Sequence, residues 1–137
     1  MPFRNQVQCF EINIRSRKIG NMDLNQIQDD LAKFAQDRDW GQFHSVRNLC
    51  LALVGEVGEL AELLQWVDDN NISEFLAAGG CDRLGEELAD VLFYLVRIAD
   101  VAGVDLSSAV RAKLKENSLK YPVEKSKGNA KKYNELG

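Results

Sequence analysis

The segment Gly55–Trp66, GEVGELAELLQW, has the period of a buried helix, yet two glutamates, Glu56 and Glu59, stand in its apolar stripe. At about 100° per residue, Leu49, Ala52, Glu56, Glu59, Leu63 and Trp66 fall on one line with steps of three and four. Leu53, Val57, Leu60 and Leu64 form a second line beside it, so the two together make the broad apolar arc of a core-facing helix. Ser45 is available as a cap, and the spacing predicts a helix from Val46 to Val67.

The flanking sequence repeats the helical period. Asp23 followed by Leu24, Ile27, Leu31 and Phe34 predicts a first helix ending near Asp37. The loop RDWGQFHSVRN comes next, broken by Gly41. After helix two, DDNNISEFLAAGGCD is turn chemistry around a short helical turn, closed by Gly79 and Gly80. A third helix is expected from Asp82 to Ala102, ended by Gly103, and a fourth from Asp105 to Leu119, stopped by Pro122. Four helical periods joined by short links, with almost no alternating pattern, imply an all-α, four-helix bundle-like fold. Residues 1–21 are weakly periodic and read as an N-terminal appendage, in which QCFEINI could form a short strand. Residues 22–137 read as a single domain with a basic C-terminal tail.

The chain has 137 residues, 45% of them hydrophobic and 28% charged, which suits one globular unit with its own core. No apolar run approaches the roughly 18 residues of a membrane span, and the N-terminus lacks a signal-type apolar region, so a cytoplasmic protein is expected. Cys9, Cys50 and Cys81 are odd in number and lack CxxC spacing; they are expected to be reduced thiols packed as small apolar side chains. Net charge is −4, but residues 111–137 hold eight Lys/Arg against three Glu, a local +5 that leaves −9 for the rest. Such a tail is either a solvated terminus or a contact for phosphate groups.

Helix three carries acids in the same way as helix two. Glu87, Asp90 and Tyr94 share a face with Leu84, Val91, Ile98 and Val101. Two i, i+3 acid pairs are therefore directed inward, where an unpaired carboxylate costs several kcal/mol. Few basic residues share those faces: Arg83 and Arg97 flank helix three, and helix two has none after Arg47. The ordinary reading is a wet helix edge paired with Lys or Arg from elsewhere. The sharper reading is a divalent cation held by hard oxygen ligands, Mg²⁺ or Mn²⁺ rather than zinc. Glu62 and Glu86 fall outside the inner arcs. A di-iron carboxylate bundle would require Glu-x-x-His pairs, whereas the one histidine, His44, lies in a loop.

A carboxylate-bound Mg²⁺ completes its shell with phosphate oxygens, so a phosphate ester or anhydride is the natural substrate and hydrolysis the natural reaction. There is no GxxxxGK[ST] loop, and GEVGE has no strand before it to make a dinucleotide fingerprint. Trp40, Phe43 and His44 precede helix two, Trp66 closes its acid-bearing stripe, and Tyr94 lies one turn beyond Asp90. A planar base could stack among them; equally, they could be core aromatics at the bundle ends.

FAQDRDWGQFHSVRNLCLALVGEVGELAELLQW, then EELADVLFYLVRIAD and KENSLKYP, together resemble the MazG-like all-α nucleoside triphosphate pyrophosphatases, most closely their dCTP-directed branch. The similarity covers about residues 23–136. The family signature, EExxE, a spacer and ExxD, implies Glu56, Glu59, Glu87 and Asp90 as catalytic metal ligands, with 27 residues between Glu59 and Glu87. Gly55 replaces its first Glu, a departure that the dCTP-directed branch shares. The resemblance implies Mg²⁺-dependent hydrolysis between the α and β phosphates, releasing a monophosphate and pyrophosphate from dCTP or a related or modified pyrimidine nucleotide. It also implies a base pocket of Trp40, His44, Trp66 and Tyr94, with phosphate contacts from Lys113, Asn117, Lys120, Tyr121, Lys132 and Tyr133. Family sites lie between subunits, which implies a homodimer or a homotetrameric dimer of dimers; Leu51 and Val54 would then not be exposed. The rival from another class is a non-catalytic helical interaction protein using its basic tail on nucleic acid or an acidic partner. The inward acids argue against it.

Overall fold

Three of the four long helices begin where a side chain is placed to cap them. Asp23 accepts from the Asn25 and Gln26 N–H groups (2.9 and 3.4 Å) ahead of α1, Leu24–Gln36. The Ser45 hydroxyl accepts from Asn48 N (3.1 Å) ahead of α2, Val46–Glu62, and Asp105 accepts from Ser108 N (2.9 Å) ahead of α5, Leu106–Lys120. Each cap satisfies a donor that the first turn leaves open. The computed structural model describes residues 21–136; residues 1–20 of the 1–21 appendage, with QCFEINI and Cys9, lie outside the described residues.

The fourth long helix is entered differently. A short α3, Ile72–Phe75, passes through a wide turn at Leu76–Gly80 into α4, Cys81–Ala102. Both glycines of the turn are needed. Gly79 sits at φ 93°, and a Cβ on buried Gly80 would come within 2.4 Å of the Phe75 carbonyl oxygen. Gly103, at φ 68°, ends α4, and a single-turn α6, Val123–Ser126, follows Pro122. No strand occurs among the described residues, in keeping with the all-α expectation.

Helix two is shorter than its period implies. It ends at Glu62 rather than Val67, and residues 63–66 form a turn. The Leu63 N–H still reaches Glu59 O, but Leu64 N and Val67 N bond three residues back, to Ala61 O and Leu64 O. Asp68 then caps a 3₁₀ turn at Asp69–Asn71. A tightened turn repeats every three residues, so the apolar pattern runs on after the α-helix has stopped.

α4 is the centre of the packing. α2 lies along it in the most extensive helix contact and α1 packs on it as well, while α5 makes little contact with the other described elements. The expected bundle is thus, within one chain, a three-helix core with the fourth helix set apart. Its buried apolar residues are few: Ala35, Leu49, Val96 and Ala99. Large apolar side chains are left open instead, among them Leu51 (60% exposed), Val54 (69%) and Leu114 (68%). Cys50 and Cys81 are free thiols, but both are exposed, which corrects the expectation that they pack as core. Cys50 lies beside Leu51 on the open side of α2, and Cys81 stands in the first turn of α4.

Candidate functional site

The α2–α4 contact brings acids together from two helices. Glu56 of α2 and the i, i+3 pair Glu87 and Asp90 of α4 each offer one carboxylate oxygen, and these oxygens all lie within 4.8 Å of one another. Glu56 and Glu87 are half-buried and Asp90 is exposed. None of the three pairs with a Lys or Arg among the described residues. Glu87 Oε2 is buried without a hydrogen-bond partner, a condition that a protein side chain or a bound ion normally relieves. Burial, and then the charges of Glu59, Asp90 and Glu87, raise the pKa of Glu56 above its ordinary value. Three hard oxygen donors, converging and lacking a cationic partner, fit a divalent cation such as Mg²⁺ or Mn²⁺. Glu59, expected as the fourth ligand, is exposed and outside this group, although its charge reaches Glu56. Glu62 and Glu86 are exposed at the helix edges.

The expected aromatic set is only partly assembled. Trp40 and His44 adjoin, with ring centroids 6.0 Å apart and planes tilted 59°, and Phe34 meets Trp40 edge-on at 5.7 Å. Asp39 shapes this loop by adopting φ 54°, and Gln42 Nε2 donates to both its carbonyl and its carboxylate at 3.0 Å. Arg38 stacks on Phe34, its guanidinium carbon 3.5 Å from the ring centroid. Tyr94 is half-buried on α4. Trp66, expected beside them at the end of helix two, lies instead in the turn after it, 89% exposed and without a ring contact among the described residues.

The basic set gathers at the far end of α5. Lys113 and Lys120 both pair with Glu116, the Lys113 contact being 3.1 Å, and these hydrogen bonds hold the Glu116 pKa below its ordinary value. Tyr121 and Tyr133 meet edge to face at 6.2 Å, and Lys120 Nζ lies 5.3 Å from the Tyr133 ring centroid. The tail is thereby tied to the helix. Asn117 and Lys132 are exposed. Because α5 makes little contact with α2 and α4, these residues are not packed against the chain's own carboxylates.

Sequence reasoning placed Arg97 only as a flanking charge. In the structure its Nε donates to His44 Nδ1 at 3.2 Å, and its NH1 pairs with Asp100. The signal was available: Arg97 continues the stripe of Glu87, Asp90 and Tyr94 in steps of three and four.

The sequence pattern of the MazG-like family matches residues 52–136, which include all three clustered carboxylates. The chain belongs to the MazG-like family. Proteins named dCTP pyrophosphatase 1 are close in sequence: that of Mus musculus is 52% identical over 106 residues and that of Homo sapiens 50% over 109. Each match takes in 77% of this chain and 62% of the relative, so the chain spans a little under two thirds of the length of these relatives. The crystal structure of a pyrophosphatase from Archaeoglobus fulgidus superposes with a TM-score of 0.68 at 34% identity, covering 77% of this chain and 99% of that one.

Proposed function

We propose that this chain is a divalent-cation-dependent nucleoside triphosphate pyrophosphatase, cleaving between the α and β phosphates of dCTP or a related or modified pyrimidine deoxynucleotide. The observation that carries the reading is the group of Glu56, Glu87 and Asp90 with its partnerless Glu87 oxygen. Mg²⁺ or Mn²⁺, when bound there, would supply positive charge to the triphosphate. Glu56, Glu87 and Asp90 would hold the cation, with Glu59, exposed beside them, helping to orient the attacking water. Trp40, His44, Tyr94 and Trp66 take the base. Lys113, Asn117, Lys120, Tyr121, Lys132 and Tyr133 receive the phosphates, with Glu116 giving up its two lysines to them.

The same reading requires a second copy. The phosphate set stands apart from the carboxylates of its own chain, and Leu51, Val54 and Leu114 lack apolar cover. A homodimer, or a tetramer built from two, would place the α5 end of one protomer over the acids of its partner and cover those side chains. No helix among the described residues is long and apolar enough to cross a membrane, and the enzyme would act on the nucleotide pool of the cytoplasm. The deciding experiment offers canonical and modified NTPs and dNTPs with Mg²⁺ and scores pyrophosphate against orthophosphate. Pyrophosphate release, greatest with a cytosine deoxynucleotide, is expected; orthophosphate alone, or no turnover, would remove the proposal.

A further inference from the structure

We infer that Arg97 is the positioning residue for His44: it fixes the imidazole as the Nε2–H tautomer and so presents that N–H to an acceptor atom of the substrate base. The inference rests on the proposed base pocket, but its first half concerns the free protein alone. A guanidinium can only donate, so the 3.2 Å contact from Arg97 Nε obliges Nδ1 of His44 to be the unprotonated nitrogen. In a neutral ring the proton is then on Nε2, which makes no hydrogen bond to another described residue and is free for a ligand.

Arg97 is itself held by a carboxylate that a second helix fixes. Its NH1 pairs with Asp100 one turn on, and the other Asp100 oxygen accepts from Gln28 Nε2 of α1 at 3.0 Å. The Arg97 and Asp100 side chains are only 16% and 25% exposed, so the chain of bonds is shielded from competing water. It links α1, α4 and the loop carrying Trp40, whose ring lies beside that of His44. Protonating His44 would place a second N–H against the Arg97 cation. Burial and then that charge both hold its pKa below the ordinary value, which keeps the ring a neutral donor.

A donor fixed in this way donates to a carbonyl oxygen or an unprotonated ring nitrogen and opposes a ring N–H, which would leave two donors face to face. It therefore favours the acceptor edge of cytosine over a base protonated at the same place. Free histidine in water populates both tautomers, and without Arg97 this discrimination weakens.

The chain has one histidine, so a single labelled imidazole reports on the site. In the full chain carrying ¹⁵N-histidine and ¹⁵N-arginine, long-range ¹H–¹⁵N spectra near neutral pH should show Nε2 fully protonated and Nδ1 not, with a scalar coupling from Arg97 Nε to Nδ1. A protonated Nδ1 or a mixed population overturns the proposal. Arg97→Met keeps the apolar stem without the donor, and it should release a mixed population and lower kcat/KM for the preferred nucleotide about 3- to 10-fold. Unchanged tautomers and unchanged kcat/KM in that variant count against Arg97, and if it fails to fold the wild-type spectrum still decides. Adding a non-hydrolysable analogue of the preferred nucleotide should shift the Nε2–H resonance. No shift, in a protein that turns that nucleotide over, overturns the ligand half of the inference. No turnover of any nucleotide would instead remove the proposed function, leaving the free-protein spectrum to judge Arg97 by itself.

Discussion

Glu56 on α2 and Glu87 on α4 face one another across the main helix contact, with carboxylate oxygens within 4.8 Å. Two like charges at this separation oppose the packing that brings them there, and Asp90 adds a third. A divalent cation converts that repulsion into a crosslink between helices. Mg²⁺ is therefore expected to raise the melting temperature, by the equivalent of about 3 kcal/mol at a hundredfold excess over its dissociation constant. EDTA should reverse the rise. A melting curve indifferent to Mg²⁺, Mn²⁺ and EDTA alike would count against the cation site.

Neutralising one acid at a time separates the roles. Asp90→Asn and Glu59→Gln should each lower turnover by roughly 100-fold or more while leaving the helical circular dichroism unchanged. Only Asp90→Asn should also weaken the Mg²⁺-induced rise in melting temperature, because Glu59 lies outside the clustered oxygens. Turnover at the wild-type level in either variant would remove that residue from the mechanism.

The raised pKa of Glu56 gives a stability signature with a definite sign. Its folded value lies above the ordinary one, owing to burial and then to Glu59, Asp90 and Glu87. The folded state therefore holds this proton more tightly than the unfolded state. Without a divalent cation, the associated stability is complete below the ordinary carboxylate value of about 4.3 and is lost as pH rises through the folded value. Denaturation curves across this range should show the wild type losing stability relative to Glu56→Gln as pH increases. Saturating Mg²⁺ should reverse the trend, since binding the ion requires the ionised form. A difference between the two proteins that does not vary with pH would mean that Glu56 is not perturbed.

The helix starts were legible because Asp23, Ser45 and Asp105 announce them locally, and Gly103 announces an end. The carboxylates on α4 were legible because a three-residue step on an apolar face survives any change of neighbour. The end of α2 was hidden, since residues 63–66 keep an apolar period while their hydrogen bonds shift to three residues back. Glu59 stands outside the clustered oxygens for a related reason. A wheel assigns it the angle of an inner stripe, but whether a partner helix lies opposite depends on tertiary packing, and here it leaves Glu59 open. Periodicity puts Arg97 on the stripe of Glu87, Asp90 and Tyr94, but its partner His44 is 53 residues away, a separation at which no local periodicity operates.

Trp66 tests whether an exposed aromatic has a use. At 89% exposure it contributes little to the packing of one chain, so Trp66→Ala should change unfolding free energy by no more than about 0.5 kcal/mol. Stacking on a base is worth about 1–3 kcal/mol, so the same variant should raise KM by roughly 5- to 150-fold if the side chain folds over the nucleotide. An unchanged KM would exclude Trp66 from the pocket and leave Trp40, His44 and Tyr94 as its walls.

Leu51 tests the interface by the opposite logic. It is 60% exposed on one chain, beside Val54 at 69%, so a charge placed there meets water if the protein is a monomer. In that case Leu51→Glu should alter stability by only about 0.5 kcal/mol. If a second copy covers this face, the new carboxylate is buried without a partner, at a cost of several kcal/mol that an interface of ordinary size cannot absorb. Sedimentation velocity should then show the wild type as a dimer or tetramer and Leu51→Glu as a smaller, less stable species. The variant should also lose turnover, because the phosphate-binding end of the partner's α5 departs with the partner. Identical sedimentation and activity in the two proteins would mean that a different surface joins the subunits.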